Sequence, residues 1–111
     1  MTKLTLAEAI TIRDEAKAIH DDAMRRHIKA CGSAMSATTA HTHTELAVLS
    51  AARAWTPDTA VTTAATNTAA GAFAARAAAN AHRDATKAWA TIRRAAWVAA
   101  CETVARLEAG A

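Results

Sequence analysis

The chain has 111 residues, a net charge of +3 with histidine neutral, and three glycines, one proline and no tyrosine against 52% hydrophobic residues. Alanine dominates, which argues against a β-rich fold and against disorder, because strands want aromatic or branched residues and disordered chains are poor in apolar ones. Thirteen basic against ten acidic residues make only a mild positive field, and two cysteines are too few for a disulfide scaffold or a cysteine-based metal site.

The first helix signal is Thr5-Leu6-Ala7-Glu8, a capping box in which hydroxyl and carboxylate satisfy each other's exposed amides. The helix it opens is expected to run to Cys31, with Gly32 as a left-handed stop. Projected at about 100° per residue, Glu8, Asp14, Glu15, Asp21, Asp22, Arg25 and Arg26 cover one side of it. Leu6, Ala9, Ile12, Ala16, Ile19, Ala23 and Met24 cover the other, with His20 and His27 near the centre of that apolar side.

Next comes ATTAHTHTEL, residues 37–46, in which His41, His43 and Glu45 alternate with threonines. In a strand these three would share a face, as metal ligands do; in a helix His41 and His43 stand about 200° apart. The surrounding Ala, Thr, Leu and Val fall at helical spacing, and Thr42-His43-Thr44-Glu45 itself reads as a second capping box. The helical reading takes precedence. Thr56-Pro57-Asp58 then marks another start, with threonine as N-cap and proline in the first helical position. Asn80-Ala81-His82-Arg83-Asp84 supplies a further break, with cations ending one helix and Asp84 opening the next.

These marks give segments near 6–31, 33–55, 57–82 and 84–108 within a single helical domain, residues 1–111. The expectation is an all-α antiparallel four-helix bundle, the alternative a five-helix bundle with a break near Thr42 or Gly71. Only about twenty residues are large and apolar, so the lean core also predicts self-association, as a homodimer for example. Charges throughout the first thirty residues and the lack of an 18-residue apolar run point to a cytoplasmic protein without a membrane span.

No phosphate-binding glycine loop, nucleophile elbow, CxxC or HExxH is present, so an enzyme is not expected, and no cofactor is implied. His20, His27, His41 and His82 are the candidates for a histidine-based metal or pH-responsive site, though the Glu-x-x-His pairs of di-iron bundles are missing. Arg25, Arg26 and Lys29 are candidate nucleic-acid contacts, with solvation of a helix end as the plainer reading.

The final segment carries two apolar stripes. Trp89, Ile92, Ala96, Ala99, Thr103 and Leu107 form a regular stripe expected to be core. Trp97, Cys101, Val104 and Ala90, flanked by Arg93 and Arg94, form a second. Tryptophan beside arginine is the composition of interface hot spots, so Arg93, Arg94, Trp97, Cys101 and Val104 are the candidate partner-binding residues. Phe73 projects toward Thr59, Thr62, Thr63 and Thr66. That threonine face is similar in composition to helical ice-binding proteins but lacks their repeat, because steps of eleven from Thr63 and Thr66 reach Ala74 and Ala77.

SAARAW (50–55) and AAGAFAARAAANAH (69–82) resemble segments of the alanine-rich helical immunity proteins of bacterial polymorphic toxin systems. The resemblance covers about half of the chain and implies a small cytoplasmic inhibitor that binds another protein, with no catalytic residues to carry over. Small phage inhibitors of bacterial defence, anti-CRISPR proteins among them, have a similar build. The expected function is therefore stoichiometric inhibition by binding a protein partner, with a nucleic-acid-binding regulator as the rival.

Overall fold

In the computed structural model, which describes residues 3–54 and 58–110, the chain forms two α-helices, α1 (Leu6–Ala52) and α2 (Thr59–Ala109). The expected four-helix bundle is thus overturned, and so is its five-helix alternative. Two helices, of 47 and 51 residues, run through the breaks read at Gly32, Thr42, Gly71 and Asn80–Asp84, and only the division expected between segments 33–55 and 57–82 matches their ends at Ala52 and Thr59.

The physical reasons are local. Gly32 and Gly71 are helical, no glycine has a positive φ, and neither site closes a turn. A single glycine costs about 1 kcal/mol in a helix, which strong helix formers on either side can absorb. The second capping box does not form. Thr42 donates its hydroxyl to the Thr38 carbonyl at 3.0 Å, as Thr39 does to Met35 at 3.1 Å, so these threonines bond back along an unbroken helix. Glu45 turns to His41 instead. Asp84 pairs with Arg83 at 3.3 Å rather than starting a helix.

The true ends follow their sequence signals. Glu8 N–H donates to Thr5 Oγ1 at 3.1 Å, and Thr5 N–H reaches Glu8 Oε1 at 3.4 Å. Asp58 caps α2, its carboxylate accepting from the Ala60 and Val61 amides at 2.8 and 3.3 Å. Thr56 and Pro57, expected to open this helix, lie outside the described residues.

Packing divides the chain into two units, Met1–Ile28 with Ala85–Ala111 and Lys29–Asp84. In the first unit α1 and α2 run antiparallel, with His20 against Trp97 and His27 against Thr86. In the second they are again antiparallel, with His41 against Arg76 and Phe73.

The residues turned inward recur at alternating steps of three and four, the seven-residue spacing of a coiled coil. On α1 one series is Ala9, Ala16, Ala23, Ala30, Ala37, Thr44 and Ala51. On α2 its counterpart includes Ala65, Ala72, Ala79, Thr86 and Ala100. Small side chains let helix backbones approach closely, so dispersion contacts replace large apolar burial. Among the described residues the fully enclosed core is correspondingly meagre: six alanines and Val104, with no large side chain completely buried.

Candidate functional site

Each histidine occupies a different setting. In the first unit His20 stacks on Trp97 with ring centroids 5.2 Å apart and 26° between planes, and its Nδ1 lies 3.6 Å from Asp21, beyond hydrogen-bond reach. His27 Nδ1 is 3.1 Å from the Thr86 hydroxyl. In the second unit His41 is buried between Glu45, 3.1 Å from Nε2, and Arg76, 3.2 Å from Nδ1. Arginine can only donate, so Nδ1 accepts and Nε2–H donates to Glu45, which settles the tautomer of His41. His43 and His82 are exposed. Among the described residues no three His, Cys, Asp or Glu side chains converge as a metal site needs.

Two of the basic candidates are tied to a neighbour on their own helix. Asp22 takes Arg26 at 3.0 Å and Arg25 at 3.6 Å, both of them exposed, and Lys29 is exposed one turn further on. Exposed pairs of this kind contribute little to stability, but they reduce the net field available to a phosphate backbone. Arg94 is exposed beside Lys87 on a shallow surface bounded by His20, Met24 and His27.

The two stripes of α2 have exchanged roles relative to expectation. Trp97 and Ala90 belong to the inward series, Val104 is buried, and Cys101 and Arg93 are half-buried. Of the stripe expected to be core, Trp89, Ile92, Ala96 and Ala99 are exposed, and only Thr103 and Leu107 are half-buried. In the first unit Trp89 is 43% and Ile92 59% exposed, beside Ile12 at 47% and Ile19 at 46% on α1. Arg93 links the two stripes of α2, its guanidinium lying 3.9 Å over the Trp89 ring. A shallow groove lined by Ile12, Glu15, Ala16, Ile19, Arg93 and Ala96 runs along this face. The sequence signal for the exchange was the alanine recurring every seven residues on α1, which marks the inward line more reliably than residue size.

The second unit has its own exposed apolar residues. Met35 is 72% and Phe73 60% exposed, and Leu49, two heptads beyond Met35, shares its side of α1. Phe73 is held edge-on to His41, with centroids 5.5 Å apart. Cys31 and Cys101 are not joined in a disulfide. Among the described residues no helix is long and apolar enough to cross a membrane.

No family model matches the chain, and neither a curated protein nor a solved structure does.

Proposed function

We propose that this chain is a non-enzymatic protein-binding module that acts as a stoichiometric inhibitor, of the toxin-immunity or phage anti-defence (anti-CRISPR) kind, in a cytoplasm. The observation that carries the reading is the outward placement of Met35, Phe73 and Leu49 in the second unit, on helices already paired through their alanine series. Large apolar side chains held outward on regular helices suit recognition of a partner's groove or helix. Methionine adapts to irregular surfaces, and phenylalanine anchored against His41 is an ordered contact rather than a floppy one.

The test is co-expression with any toxin or defence effector encoded beside this gene. The expected outcome is a 1:1 complex that silences the effector, lost in Met35→Lys and Phe73→Lys while helical circular dichroism is kept. Failure of every neighbouring product to bind, together with salt-sensitive binding of DNA or RNA, would overturn the reading in favour of a nucleic-acid regulator using Arg25, Arg26, Lys29, Arg93 and Arg94.

A further inference from the structure

The first unit carries an apolar face that the proposed inhibitor surface does not use. Ile12 and Ile19 lie seven residues apart on α1, and Trp89 and Ala96 seven apart on α2, with Ile92 between them. Glu15, Ala16 and Arg93 complete the groove along this face. We propose that this face receives the same face of a second copy of the chain, forming a four-helix dimer around Ile12, Ile19, Trp89 and Ile92.

Two observations converge on a second copy. The enclosed core of alanines and Val104 leaves the large apolar residues outside, as a half-built bundle does. Finally, Arg93 stacked on Trp89 holds the ring in place, so ordering this anchor costs little on association.

Charge selects the arrangement. Glu8 and Glu15 border the strip at a seven-residue spacing on α1, whereas Arg93 and Arg106 stand on α2. A two-fold axis parallel to the helices sets α1 of one protomer against α2 of its partner, acids opposite arginines. An axis across the helices would set the acidic row against itself. The parallel axis is therefore the one assigned.

Sedimentation equilibrium of the full chain, without any partner protein, tests this separately from the inhibitor reading. The expected species at micromolar concentration has twice the 11.5 kDa chain mass. Ile19→Lys and Trp89→Lys should yield monomers, while Phe73→Lys in the second unit leaves the dissociation constant unchanged. Glu15→Lys, an exposed position at which folding is not at stake, should weaken the dimer about tenfold through lost charge complementarity. A wild-type monomer at 100 µM (roughly a hundred times the concentration at which a micromolar dimer half-dissociates) would overturn the proposal. So would loss of the dimer in Phe73→Lys, and a tighter dimer in Glu15→Lys would overturn the assigned axis.

Discussion

Trp97 lies stacked on His20, with ring centroids 5.2 Å apart and 26° between planes, so the largest side chain of the inward series joins the two helices of the first unit. Because that unit is otherwise closed by alanines and Val104, one aromatic contact supplies an outsized share of its packing.

Trp97→Ala should therefore destabilise the fold by about 2–4 kcal/mol, in the range for aromatic truncation at a half-buried site. Urea unfolding followed by circular dichroism measures it. A variant as stable as wild type, with altered binding only, would move Trp97 from the helix pair to an outer surface.

Gly32 and Gly71 give a prediction of opposite sign. Both are exposed and helical, and a Cβ at either position meets no atom within 4 Å. Gly32→Ala and Gly71→Ala should each stabilise the chain by roughly 0.5–1 kcal/mol, through helix propensity and a less flexible unfolded state. If Gly32 instead closed a helix in the left-handed conformation, alanine there would destabilise. The sign of the shift in urea midpoint distinguishes the two.

Elements governed by neighbours three or four residues away were legible from the chain itself. Thr5 and Glu8 cap α1 as their spacing requires, and helix is the state throughout the alanine-rich stretch from Thr59 onward. The breaks expected at Gly32, Thr42 and Asp84 do not form because these are permissive rather than compulsory signals, and alanine-rich flanks carry the helix through them.

The inward line was hidden for a geometric reason. A seven-residue repeat drifts by about 20° per heptad when projected as an ideal straight helix, so six heptads of α1 smear its line over about 120°. Residue size then misled. Ile12, Ile19, Trp89 and Ile92 face outward, while Arg13, His20, His27 and Arg93 occupy inward positions, where long or aromatic polar side chains cover alanine with their apolar parts. His20 and His27 share an apolar side of α1, yet they and His41 each meet a different partner across or along the helices: Trp97, Thr86 and the Glu45–Arg76 pair.

Every exposed face assigned to a partner depends on α1 and α2 each being a single helix. Backbone 13C chemical shifts test that most directly, residue by residue. Two continuous helices give helical Cα and carbonyl shifts without interruption from Ala30 to Ala34, from Thr42 to Glu45 and from Ala79 to Ala85. Coil shifts at Gly32, or across Asn80 to Asp84, would contradict the two-helix chain and return the four-helix alternative.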